Sequence, residues 1–271
     1  MSGERDYIFG TRDEEIARLG LQHRVWRSRA TDAWRRAGFR TGQTLLDVGC
    51  GPGFASLDLA EIVGPEGSVL AIDRSRRFLD ALESSARVRG LGQIATHQVE
   101  LDQGPLPAVA ADGAWVRWVL AFLPRPQDLL RSIASALRPG GVLVVHEYVG
   151  YETWRFAPRS AELDEFVRVV VESWRAEGGE PNVGLDLPVL LGELGFEIRS
   201  LVPILDAIRP TDHAWEWPKS FIDIGIRRLI ELGRLDAAKG DAIRSAYAEV
   251  ERSPHALCVT PAVLEIIARK P

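Results

Sequence analysis

Cysteine is nearly absent from this chain: Cys50 and Cys258 are the only two in 271 residues. Cys50 falls inside a glycine-rich turn that a bridge would strain, so no disulfide is expected and the setting reads as a reducing cytoplasm. Also missing are an N-terminal signal pattern and any apolar run of the ~20 residues needed to span a bilayer, so no membrane partner is expected. Charge of one sign is scarce: 33 Lys and Arg against 38 Asp and Glu leave a formal net charge of −5. That balance excludes wholesale attraction to nucleic acid or to an anionic membrane. Arg24, Arg27, Arg29, Arg35, Arg36 and Arg40 are a local exception. Their helical spacing reads as a solvated helix face, with phosphate binding as the alternative. His23, His97, His146, His213 and His255 show no ligand-like i, i+3 or i, i+4 pairing, so no metal site is expected. No repeat, low-complexity tract or linker composition interrupts the chain. Its 46% apolar share suffices for a full core, which predicts one domain over residues 1–271.

What is present centres on Leu45-Leu46-Asp47-Val48-Gly49-Cys50-Gly51-Pro52-Gly53-Phe54. A short apolar strand runs into a glycine-rich turn, and a helix is predicted from Phe54 to about Val63. Glycine suits such a turn because it tolerates positive φ and lets a ligand approach the backbone closely. The spacing is G-x-G-x-G, whereas a dinucleotide fingerprint reads G-x-G-x-x-G and places a pyrophosphate at the helix N-terminus. Asp47 puts an acid just before the turn, which favours a ligand with a cationic end such as an amino-acid ammonium. Val69-Leu70-Ala71-Ile72-Asp73 reads as the second strand, and Asp73 stands 20 residues after Gly53. An acid at that distance fits two hydrogen bonds from a ribose diol. Helix capping is the alternative for Asp73, although Ser75 already suits that task.

With these motifs the chain resembles the class I S-adenosylmethionine-dependent methyltransferases, in particular the small-molecule enzymes of ubiquinone and menaquinone biosynthesis. The resemblance covers roughly residues 7–149 and returns at the C-terminal end. It implies an α/β fold: a seven-stranded, mostly parallel Rossmann-like sheet with its last strand antiparallel, helices on both faces and a helical cap. The N-terminal lid would span residues 1–44 and the cap insertions residues 149–189 and 206–256. In the lid, one helix capped by Asp13 and a second holding Val25, Trp26, Ala30 and Trp34 are expected. S-adenosylmethionine would be the methyl donor and S-adenosylhomocysteine the product. Its implied contacts are Asp47, Gly49, Cys50, Gly51, Gly53, Asp73, Arg74, Leu101 and Arg117. From the lid, Tyr7 and either Gln22 or His23 would join them, unless the lid only packs.

A third strand, Ile94 to Leu101, leads to Glu100-Leu101-Asp102, where the resemblance implies an acid and a backbone amide reading adenine; Glu100 is preferred over Asp102. The fourth strand, Gly113 to Leu120, carries Trp118, either stacked on adenine, walling the sulfonium, or packed in the core. It lacks the Asn/Asp-Pro-Pro-aromatic tetrapeptide of amino-directed nucleic-acid methyltransferases. Arg138-Pro139-Gly140-Gly141 signals a turn into a fifth strand, Val142 to Val145. His146 and Glu147 then emerge at its carboxyl end, where open α/β sheets hold ligands. His146 is the candidate general base and Glu147 its alternative; both being structural is equally open. Five large rings, Trp154, Phe156, Trp174, Trp215 and Trp217, suggest that the cap selects the acceptor, with no more than half of them facing it.

The expected function is metal-independent methyl transfer to an O, N or C atom of a small organic acceptor. The rivals are an RNA methyltransferase using the arginine-rich segment and a nicotinamide-dependent oxidoreductase. Cofactor binding without turnover is a third alternative.

Overall fold

The computed structural model describes residues 13–271. Five parallel strands come first: β1 (Thr44–Val48), β2 (Ser68–Asp73), β3 (Ile94–Gln98), β4 (Ala111–Arg117) and β5 (Leu137–Gly150). Between them run α2 (Phe54–Val63), α3 (Arg76–Arg89) and α4 (Pro126–Ala136), all preceded by α1 (Asp13–Ala37). The chain continues through β6 (Arg155–Ala157), α5 (Ala161–Ala176), α6 (Leu187–Glu193), β7 (Glu197–Ile204) and β8 (Ala207–Ile208). It ends with α7 (Glu216–Glu231), α8 (Ala237–Arg252), β9 (Leu257–Val259) and β10 (Ala262–Arg269).

The main sheet has the order β3-β2-β1-β4-β5-β10-β7. β10 runs antiparallel to both β5 and β7, as expected of the last strand. Strand alternation sorts the core. Leu45, Val69, Trp115 and Val144 pack against α1 and α2 on one face, while Leu46, Ile72, Val116 and Val145 share the opposite core with α4 and α6. Chain order reverses between β1 and β4, and a crevice at the strands' carboxyl ends there is where open α/β sheets take ligands.

Three sequence expectations are corrected. The two lid helices are, within the described residues, one helix of 25 residues. Gly20 does not break it, because the missing side chain lets the Phe54 ring close on the helix: a Cβ there would lie 2.9 Å from Phe54 Cζ. Trp26, Ala30, Ala33 and Trp34 then keep one face buried against the sheet. The fifth strand is longer than Val142–Val145. It starts at Leu137 and passes through the Pro-Gly-Gly segment, where Gly140 bends the backbone at φ 77° and its N–H donates to Lys270 O. Finally, the cap is not purely helical. α5, α7 and α8 pack together beside a three-stranded antiparallel sheet, β6-β9-β8. Its strands have only two or three residues each, too short for a period-2 pattern to reveal.

Candidate active site

The glycine-rich turn between β1 and α2 gives its three glycines different tasks. Gly49 has φ 72°, and a Cβ on it would lie 2.2 Å from Val119 Cγ2; Gly53 has φ 81°, and its Cβ would lie 2.3 Å from Leu82 Cδ1. Both therefore allow close packing as well as the left-handed backbone. Gly51, at φ 54°, has open space above it, with only Leu19 Cδ1 at 3.9 Å. The amides of Gly49 and Cys50 donate to Ile72 O at 2.8 and 3.0 Å, which ties the turn to β2.

That open space belongs to a cavity of about 490 Å³, within the ~300–1,000 Å³ usual for small-molecule sites. Its wall brings together Asp47, Gly49, Cys50, Gly51, Asp73, Arg74, Glu100, Leu101, Arg117, Trp118 and His23. Gly53 is not in the wall; it caps α2 from outside it. Gln22 and Asp102 both reach it too, so the pairs Gln22/His23 and Glu100/Asp102 are each present in full. Tyr7 lies outside the described residues.

Asp47 is buried, accepts from Ser56 Oγ at 2.5 Å, and burial pushes its carboxyl up to about 6. Asp73 accepts Gly51 N–H on Oδ2 and Ser75 N–H on Oδ1, both at 2.8 Å. Each oxygen retains a second lone-pair direction for a ligand hydroxyl. Burial raises the Asp73 pKa, and the two amides oppose that rise.

On the lid side, Arg117 Nη2 donates to His23 Nδ1 at 3.2 Å. His23 Nε2 lies 3.1 Å from Asp58 Oδ2, and Arg27 grips the Asp58 carboxylate through Nε and Nη2 at 2.7 and 3.1 Å. Arg117 Nη1 is buried and has no partner among the described residues.

His146 and Glu147 are placed otherwise than expected, since neither lines the cavity. His146 is fully buried, with Nε2 2.9 Å from Glu265 Oε2 and its ring edge-on to Trp115 at 4.8 Å. Arg36 completes this chain by binding Glu265. Glu147 is also fully buried. Its Oε1 accepts the amides of Val119 and Leu120, both at 2.6 Å, and burial pushes its carboxyl up to about 7. The residue thus clamps the exit of β4. Neighbouring strand positions do point to opposite faces here, but packed tertiary contacts occupy both.

A second, tighter space of about 30 Å³ lies beside the first, and Gln22, Trp118 and Phe122 line both. Apart from Gln22 and Arg18, which is ion-paired to Glu15 at 2.6 Å, its wall is aromatic or proline. Trp154, Trp174 and Trp217 take part, and Phe156 and Trp215 do not. Trp118 forms the partition. It holds φ 52°, rare for a bulky side chain, and stacks between Tyr148 at 5.5 Å and Trp217 at 5.7 Å. Sequence reading missed Arg228 of α7 and Leu232, the residue that caps it, in the larger wall. No local motif marks them, and only tertiary packing carries that helix to the β1–β4 crevice.

Among the described residues no helix is long and apolar enough to cross a membrane, and no group of three His, Cys, Asp or Glu side chains is placed to hold a metal ion.

Residues 46–145 match a family model described as "Methyltransferase domain". The chain is 32% identical over 126 residues to the demethylmenaquinone methyltransferase of Geobacillus kaustophilus, covering 46% of this chain and 53% of that protein. It therefore spans about half the length of such curated relatives. It is also 28% identical over 194 residues to a ubiquinone/menaquinone biosynthesis C-methyltransferase of Pseudomonas fluorescens, covering 66% of this chain and 73% of the other. Among solved structures, the [4+2]-cyclase SpnF superposes with a TM-score of 0.55 at 25% identity, covering 90% of this chain and 81% of that one. The glycine turn flanked by Asp47 and Asp73, the strand order and these matches agree: residues 46–145 form a methyltransferase domain similar in sequence to the quinone-biosynthesis methyltransferases.

Proposed function

We propose that this protein transfers a methyl group from S-adenosylmethionine to a small, largely apolar acceptor with a planar ring, and releases S-adenosylhomocysteine. The observation that carries the reading is the shared wall: Gln22, Trp118 and Phe122 stand between a cavity of cofactor size and an aromatic pocket of about 30 Å³, which holds little more than a water until its rings part to admit an acceptor.

The residues fit the cofactor. Gly51 leaves room for close backbone approach, Asp47 suits an ammonium, and Asp73 retains acceptor directions for ribose hydroxyls. Glu100, Leu101 and Asp102 suit the adenine end. When bound, the cofactor supplies an electrophilic methyl on a sulfonium. The protein aligns the acceptor against it and excludes water, for which the rings of Trp118, Tyr148 and Trp217 are suited. His146 and Glu147 hold strand and turn positions, so we assign the acceleration to alignment and desolvation rather than to a base at the β5 exit.

The rivals are less favoured. Four of the six arginines in the segment, Arg27, Arg29, Arg35 and Arg36, are ion-paired to the chain's own Asp58, Asp206, Asp32 and Glu265, which leaves less of its charge for phosphates. An acid before the turn and G-x-G-x-G spacing disfavour a nicotinamide diphosphate. Because a relative in fold is named a [4+2]-cyclase, binding and turnover need separate measurement. Calorimetry with S-adenosylhomocysteine and NADH, then transfer of labelled methyl from S-adenosylmethionine to a panel of phenolic and quinol acceptors, performs the test. Binding of NADH and of neither sulfur cofactor would refute the reading; binding without labelled product would leave a cofactor-holding protein of another activity.

A further inference from the structure

Arg117 presents a half-buried cation to the cofactor cavity, with one guanidinium nitrogen paired and one not. Nη2 donates to His23 Nδ1 at 3.2 Å, while Nη1 is buried without a partner among the described residues. A guanidinium only donates, so His23 Nδ1 must be the acceptor, and the ring proton must sit on Nε2, facing Asp58 Oδ2 at 3.1 Å. Arg27 holds that carboxylate in place at 2.7 Å. The imidazole is thereby fixed as one neutral tautomer.

The groups facing this pair come from several elements. Around His23 are Asp58 from α2, Arg27 from its own helix and Arg117 from β4, with the Phe54 ring stacked at 6.0 Å. Around Arg117 are Asp47 from β1, Tyr148 from β5 and Asp58, with the rings of Trp115 and Trp118 at 5.7 and 5.2 Å. Asp47 and Arg117 both line this cavity, which sets a carboxylate and a guanidinium side by side. An acid and a base side by side suit a zwitterion, with its ammonium toward Asp47 and its carboxylate toward Arg117.

We infer that the Arg117 guanidinium receives the carboxylate at the amino-acid end of the cofactor, and that His23 is a positioning residue that aims Arg117 only while its imidazole is neutral. The inference rests on the cofactor reading above. Protonation of His23 puts an N–H on Nδ1, so donor faces donor and cation faces cation. Arg117 is then no longer held, and affinity for the carboxylate falls. Burial lowers the His23 pKa, so the loss develops below the ordinary histidine value of about 6.5. Asp47 titrates in the same range, and its protonation weakens ammonium binding independently.

The experiment separates the two with a pair of probes: S-adenosylhomocysteine, and the analogue with the same adenosine, thioether and amine but no carboxylate. Calorimetry from about pH 8 to about pH 5 should show the carboxylate-bearing probe losing more affinity than the amine, since both lose the Asp47 contribution. In His23→Gln the amide still accepts from Arg117 and donates to Asp58 but does not titrate, so the two slopes should become equal. Arg117→Met should weaken S-adenosylhomocysteine about tenfold or more while moving the amine less than about twofold. Arg117→Lys keeps the charge without the fork and should fall between, which preserves the test if the methionine variant does not fold. Equal losses for both probes in the Arg117 variants, or an unequal slope persisting in His23→Gln, would overturn the inference. Wild-type protein binding neither probe would instead overturn the cofactor reading on which it rests.

Discussion

Two carboxylates at the carboxyl ends of strands, Asp47 and Glu147, show what burial does to a single residue. Both are wholly enclosed, and burial raises both pKa values, to about 6 and about 7. Asp47 opens on the cavity, whereas Glu147 is spent on the amides of Val119 and Leu120. For Glu147 the sign of the pH dependence follows from a folded-state pKa above the unfolded one. Its contribution favours folding below the ordinary carboxylate pKa and is lost as pH rises through about 7. Glu147→Gln keeps the carbonyl acceptor and cannot ionise. It should raise stability at about pH 8, by no more than roughly 3 kcal/mol, and change it much less near pH 4. Denaturant unfolding at the two pH values checks this, and a larger gain at the acidic end would contradict the assignment. The glycines of the turn give a second residue-scale prediction. Gly51→Ala meets open space but fills the ligand's approach, so it should abolish S-adenosylhomocysteine binding at a stability cost of about 1 kcal/mol. Gly49→Ala drives a methyl into Val119 and should unfold the protein or cost several times more. Thermal melting with calorimetry distinguishes the two.

At the scale of elements, α1 does two jobs along its length. Its first half presents Leu19, Gln22 and His23 to the cavity, and its second half packs Ala30, Ala33 and Trp34 against β1, β4 and β5. The edge-on pair Trp34–Trp115, at 5.3 Å, anchors that half. The chain Arg36–Glu265–His146 joins α1, β10 and β5 through one buried carboxylate. Glu265→Ala would leave the buried His146 Nε2 without its partner, while Arg36 keeps Asp32, and should cost about 1–3 kcal/mol, the scale for leaving a buried polar group unsatisfied. Glu265→Gln should cost clearly less, because the amide still offers a carbonyl to Arg36. If the alanine variant melts with the wild type, this chain does not tie the helix to the sheet. The elements legible beforehand were those whose signals are local. Ser75 does cap α3, accepting from the Phe78 amide, and Ser160 caps α5 in the same way through the Leu163 amide. β6, β8 and β9 were not legible, since each is stabilised only by partners about 50 to 100 residues away.

For the whole molecule, the cap and the sheet meet at the aromatic chamber. Trp217 of α7 stacks on Trp118 and lies edge-on to Trp26 at 5.0 Å, so one indole connects cap, lid and β4. Trp217→Ala should enlarge the chamber, raise KM for the acceptor about tenfold and leave S-adenosylhomocysteine affinity within about twofold. It should also cost about 3–5 kcal/mol in stability, the usual penalty for emptying an aromatic site. An unchanged acceptor KM in a folded variant would place the acceptor elsewhere. The sequence by itself determined the strand–turn–helix unit, the positions of Asp47 and Asp73, and the succession of strands and helices around them, while the mostly parallel sheet was what the resemblance implied. These depend on neighbours a few residues apart, where backbone freedom and apolar period leave a readable mark. Only the tertiary structure decided that His146 and Glu147 are walled off from the cavity, that Trp118 divides two spaces, and that His23 and Arg117 face each other across 94 positions of chain. Those outcomes depend on which faces of distant elements come together, and burial then sets what each side chain can do.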